Sequence, residues 1–132
     1  MGRAIRTAAD ASASQEAHAE RTCASCGRRM PSSASPDAKW CSAACRKHGV
    51  DDTDRALEQR IDELLAARAW TSSICPSEVA RSLEPDDWRP LMEPARRAAR
   101  RMVARGEVEI TQNGSVVAPS TAKGPIRIRR PR

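Results

Sequence analysis

The sequence has no tyrosine and no phenylalanine, and three tryptophans are its only aromatic residues. Trp40, beside the cysteine at position 41, is expected to form a one-residue core, Trp88 to pack inward, and all three tryptophans to have core roles. No row of stacking rings then remains, which argues against a specific single-strand nucleic-acid reader. No stretch approaches the ~18 consecutive apolar residues of a membrane span. The first residues, MGRAIRTAADASASQEAHAE, lack an apolar core of signal-peptide length, so export is not expected and a cytoplasmic protein is. Only 39% of residues are hydrophobic and the mean hydropathy is −0.63, which leaves no material for a large core. There is no Gly-rich phosphate loop, no paired carboxylates and no Ser-His-Asp set, so the expectation is a non-enzymatic protein.

What the chain does have is positive charge and clustered cysteine. The 132 residues carry a net charge of +6, and the pI is near 9.6. Lys123, Arg127, Arg129, Arg130 and Arg132 crowd the last ten residues. This balance suits a polyanion, though it also describes many soluble basic proteins. The cysteines number five, an odd count, and four of them fall in two pairs. In a cytosolic protein that pattern points to metal rather than disulfides.

The pairs are Cys23 and Cys26 as C-x2-C, and Cys41 and Cys45 as C-x3-C. Zn²⁺ needs four thiolate or imidazole ligands in a tetrahedron, and a C-x2-C turn presents two sulfurs to one ion. Gly27 lets the backbone bend just after the first pair. The second pair reads as the first turn of a short helix, SAACRKH, with Ser42 as its cap. A structural zinc site of Cys23, Cys26, Cys41 and Cys45 is expected. His48 is an alternative to Cys45, but reads better as a surface residue. A redox C-x2-C normally sits beside a βαβ pattern, which is missing here.

The chain divides into an unstructured segment 1–21 (where His18 is a solvated tail residue), a zinc module 22–48, a linker 49–53 and a domain 54–132. In the domain, Leu57, Ile61, Leu64 and Leu65 recur at helical spacing after a cap at Asp52 or Thr53. Ile74 forms a one-residue bridge in a minimal sheet. Pro76 opens a second helix carrying Val79, Ala80 and Leu83. A short turn, DWRPLM, precedes a third helix from about Glu93 to Arg105. Read at helical spacing from Asp87 to Arg105, Leu91, Met92, Ala95, Ala98, Ala99, Met102 and Val103 share one arc, and Arg96, Arg97, Arg100 and Arg101 share the opposite one, with Arg105 at the boundary. Gly106 ends the helix as a left-handed cap. Asn113-Gly114 sets a type I′ hairpin that pairs Ile110 with Val117, both facing the core with Val108. GPIRIRR reads as a third strand or a docked arm, with Ile126 and Ile128 inside. Helix, turn, helix and wing make an α+β winged helix-turn-helix with an N-terminal zinc knuckle.

Two resemblances accompany this reading. CASCGRR and WCSAACRK resemble domain of unknown function 2256, a small bacterial family whose basic, Trp-containing middle this sequence lacks. SSICPSEVAR, DWRPLM, RRAARRMVARGEVEITQNG and KGPIRIR, over residues 70–130, resemble domain of unknown function 3253. That resemblance implies a small winged-helix domain and no activity.

The leading functional expectation is phosphate-directed nucleic-acid binding, with DNA preferred to RNA. It would use Arg96, Arg97, Arg100, Arg101 and Arg105, with Lys123, Arg127, Arg129 and Arg130 from the wing and tail. The alternative is an adaptor that docks on a protein complex. A third idea is thiol redox sensing; the remaining cysteine, Cys75, reads as a small buried residue at a helix start. No membrane partner is expected, and no long heptad helix suggests an oligomer.

Overall fold

A computed structural model gives the structure of residues 21–131. The segment expected to be unstructured, His18 included, lies outside these residues except for Arg21. Arg21 belongs to the cysteine module, where its carbonyl accepts from Met30 N–H at 2.9 Å beside an antiparallel bridge of Thr22 with Arg29.

The elements run α1 (Ala43–His48), α2 (Asp52–Ala66), β1 (Ser73–Ile74), α3 (Pro76–Leu83), a 3-10 turn (Arg89–Leu91), α4 (Met92–Ala104), β2 (Glu109–Gln112), β3 (Ser115–Val116) and β4 (Arg127–Arg129). The fold is α+β, with helices on one small antiparallel sheet of order β1-β4-β2-β3.

The helices follow their apolar spacing. Leu57, Ile61 and Leu65 of α2 are buried against Ala95, Ala98, Ala99 and Met102 of α4 and Val79 of α3. Each large side chain so buried contributes about 2 kcal/mol. The cap of α2 is Asp51, ahead of the expected Asp52 or Thr53. Asp51 Oδ1 accepts from Asp54 N–H at 2.8 Å, and Asp54 Oδ2 accepts from Asp51 N–H at 3.0 Å. The Asp54 carboxylate, three residues on, closes the reciprocal box and so selects the earlier start. Pro76 takes the first turn of α3, as expected. Pro94 falls in the first turn of α4, where its missing N–H would have no helical partner. At the other end Gly106 adopts φ 77°. Its N–H donates to Val103 O and that of Glu107 to Met102 O, both at 2.9 Å, a Schellman closure.

The hairpin has the expected register. Asn113 (φ 52°) and Gly114 (φ 83°) form its turn, Thr111 faces Val116, and Val117 N–H donates to Ile110 O at 3.0 Å. The tail strand goes further than its sequence suggested. β4 is internal to the sheet, and Ile128, fully buried, pairs with Ile74 on one side and Ile110 on the other.

The tryptophans depart from expectation. Trp70 is 65% exposed, and Arg130 lies over its ring at 5.9 Å. Trp88 is half-buried, stacked by Arg81 at 4.3 Å and Arg89 at 4.8 Å. A guanidinium can cover an indole without a core being present, so tryptophan content alone overstated burial.

Candidate metal centre and the arginine face behind it

Cys23 and Cys26 lie on a tight turn in which Gly27 N–H donates to Cys23 O at 2.9 Å. Cys41 and Cys45 come from the start of α1, where Ser42 caps the helix by accepting from Cys45 N–H at 3.2 Å. The four sulfurs lie within 4.8 Å of one another. Cys26 Sγ is 3.7 Å from Cys41 Sγ, which is 3.6 Å from Cys45 Sγ. A tetrahedron of sulfurs 2.3 Å from one ion has edges of about 3.8 Å. All four cysteines are free thiols. The cluster therefore has the donor set and spacing to hold a metal ion.

Its protonation chemistry agrees. Burial pushes the Cys23 thiol up, but N–H groups of Cys26, Cys41 and Ser25 outweigh it and bring the pKa down to about 6. Burial and neighbouring thiols push Cys41 up to about 12, and burial also raises Cys26. One thiolate forms readily, and Cys26 and Cys41 resist adding more negative charge. A divalent cation at the centre would reverse that resistance.

His48 is not in this cluster. Its Nε2 lies 2.9 Å from Asp54 Oδ2, tying the end of α1 to the cap of α2. Cys75, expected to be buried, is half-buried at the N-cap position of α3, where its side chain makes no capping bond and Sγ lies 2.8 Å from Ser77 Oγ.

The cysteine module packs on α4, and this corrects the exposed arginine arc. Arg100 and Arg101 are only 6% and 4% exposed. Arg100 Nε donates to Cys26 O at 2.6 Å, and Arg101 Nη1 to Ser25 O at 2.7 Å. Arg97 donates to the Ser25 hydroxyl, and Ser25 itself is fully buried. The carbonyls of the first cysteine turn thus receive guanidinium donors. A divalent ion held by four thiolates would carry a net charge of −2, and guanidiniums bonded to the turn that bears two of the ligands would offset part of it. Carboxylates complete the network. Glu58 accepts from Arg101 Nε at 2.5 Å and Arg105 Nη2 at 2.6 Å, and Glu93 from Arg100 Nη2 at 2.9 Å. Helical periodicity separated polar from apolar positions on α4, but it carried no information about a segment docking on the polar side.

The other basic residues are mostly engaged too. Arg96 donates to Gly124 O at 3.2 Å. Arg105 pairs with Glu107 as well as Glu58. Arg127 reaches Ser73 Oγ at 2.7 Å, Arg129 pairs with Glu109 at 3.0 Å, and Arg130 with Asp62 at 3.3 Å. Lys123 is exposed. Among the described residues, the cationic side chains of Arg28, Arg29, Lys39, Arg46, Lys47 and Lys123 are exposed and make no hydrogen bond, ion pair or ring contact. The first five lie in the cysteine module, and sequence reasoning that favoured the longest arginine run passed over them. Their signal was compositional: residues 21–50 hold six Lys and Arg against a single carboxylate, Asp37.

Lys39 and Arg46 border an open groove that Trp40 also lines. No described helix is long and apolar enough to cross a membrane. No curated protein matches the chain. A family model matches residues 54–131, from α2 through β4, and leaves the cysteine module outside it. The chain belongs to the family described as protein of unknown function DUF3253.

Proposed function

We propose that this is a zinc-stabilised winged-helix protein that binds nucleic acid through phosphate contacts, and that its free cations on the zinc module make those contacts. The observation that carries this reading is the distribution of partnerless charge. The arginines of α4 and β4 mostly have acceptors within the fold, whereas Arg28, Arg29, Lys39, Arg46 and Lys47 have none. Unpaired cations at this density are suited to a phosphate backbone.

Zn²⁺ is the metal favoured by four thiolates in a tetrahedron. Its role here is structural: the small module buries few apolar side chains, and the ion takes the place of a core. The order α2-β1-α3-α4-β2-β3 supports the winged-helix reading, with one departure, since β4 lies between β1 and the hairpin. In this arrangement α4 is a docking surface for the zinc module rather than a helix free to enter a groove.

The test is a binding titration of the zinc-loaded chain against random duplex and single-stranded DNA across a salt series. Replacing Lys39, Arg46 and Lys47 together with alanine is expected to weaken binding. It should also reduce the salt slope by about 2 to 3, one contact per lost cation. An unchanged slope would remove these residues from the interface, and no binding at low salt would remove the function. The second reading, a protein adaptor, is favoured by Trp70 and Val116, which are 65% and 55% exposed. It predicts a salt-insensitive partner that survives nuclease in a pull-down.

A further inference from the structure

The groove on the zinc module has a volume of about 530 Å³ and is lined by Lys39, Trp40, Ser42 and Arg46, with Asp37 also present. Trp40 is half-buried and packs against the cysteine cluster, while also lining the groove. An indole held in this way loses little freedom when something stacks on it. Lys39 and Arg46 stand at the same groove with no acceptor.

An aromatic ring and two free cations on one groove match the chemistry of a nucleic-acid strand, which offers flat bases and phosphates together. A base inside a duplex has both faces covered and cannot reach such a ring. An acidic peptide would satisfy the cations and leave the indole uncovered. We propose that this groove binds an unpaired nucleobase, stacked on Trp40, with the adjoining phosphates on Lys39 and Arg46. The proposal rests on the nucleic-acid reading above and narrows it to single-stranded substrate at this site.

The experiment uses the full zinc-loaded chain and three probes: a thymidine homopolymer, an abasic strand of equal length, and random duplex. Trp40→Leu is expected to lower affinity for the homopolymer about tenfold, and to leave the abasic strand, the duplex and the zinc content unchanged. Because Trp40 also packs on the cysteine cluster, a second readout leaves it intact. In a Trp70→Phe, Trp88→Phe variant only Trp40 fluoresces, and the homopolymer should quench it while the abasic strand does not. Equal affinity for the homopolymer and abasic strands, or Trp40 fluorescence that ignores a saturating homopolymer, overturns the groove. If binding is steeply salt-dependent in that case, the broader phosphate reading stands. No binding of any probe at low salt overturns both.

Discussion

A Cβ built on Gly27 would lie 2.5 Å from the Cβ of Arg100 and 2.6 Å from its carbonyl carbon. The turn that carries the first cysteine pair therefore sits directly on the backbone of α4, a contact that only glycine permits. Gly27 also adopts φ +76°, so two independent constraints act on one residue.

Gly27→Ala should destabilise the protein by about 3 kcal/mol, because the new methyl meets backbone that cannot move aside. Gly106→Ala is the control: it has a similar φ of +77° but nothing within 4 Å, so it should cost only about 1 kcal/mol. Urea unfolding of the two variants measures the difference. Equal losses would mean that the module does not pack on α4 in solution.

Chelation should expose the module's thiols. With metal bound, a thiol reagent should react promptly only with Cys75, and after chelator with all five cysteines. The loaded protein should contain one zinc per chain by elemental analysis. Prompt reaction of all five thiols in the loaded protein would show that the cluster does not hold the ion.

Arg101→Ala should cost about 3 kcal/mol in thermal or urea unfolding. It removes donors from Ser25 O, Asp54 O and the Glu58 carboxylate together. Glu58→Gln combined with Arg101→Ala should recover part of that loss, because it removes a half-buried charge that Arg101→Ala leaves with Arg105 as its one remaining cation. Arg101→Ala should also weaken zinc retention against a competing chelator, since the turn bearing Cys26 loses one of its three guanidinium anchors. Unaltered stability and retention would assign Arg101 no role in docking.

Metal loading should release protons, and affinity should fall as pH falls. At pH 7 Cys23, with a pKa of about 6, is already mostly ionised, whereas Cys26 is raised and Cys41 is raised to about 12. Thiolate is the ligand form, so at least two protons must leave on binding, and acid drives the reverse reaction. Calorimetry in buffers of differing ionisation enthalpy counts them. A release below two protons would be incompatible with four-thiolate ligation.

The sequence by itself determined the elements whose signals are local. The apolar spacing of Leu57, Ile61 and Leu65, Pro76 at a helix start, Gly106 at a helix end and Asn113-Gly114 at a hairpin each act over a few residues. So does the pairing of Cys23 with Cys26 and of Cys41 with Cys45, because ligand spacing within a turn fixes where each sulfur goes. Only the tertiary structure decided what lies against what. It brought residues 25–27 onto Arg97, Arg100 and Arg101, about seventy positions away along the chain. It set β4 inside the sheet, and it left Trp70 outside the core. An arginine is chemically suited to water, to phosphate and to a buried carbonyl alike, so its role depends on which long-range acceptor the fold presents to it. That choice moved the candidate nucleic-acid contacts from the arginines of α4 to the free cations of the module that covers them.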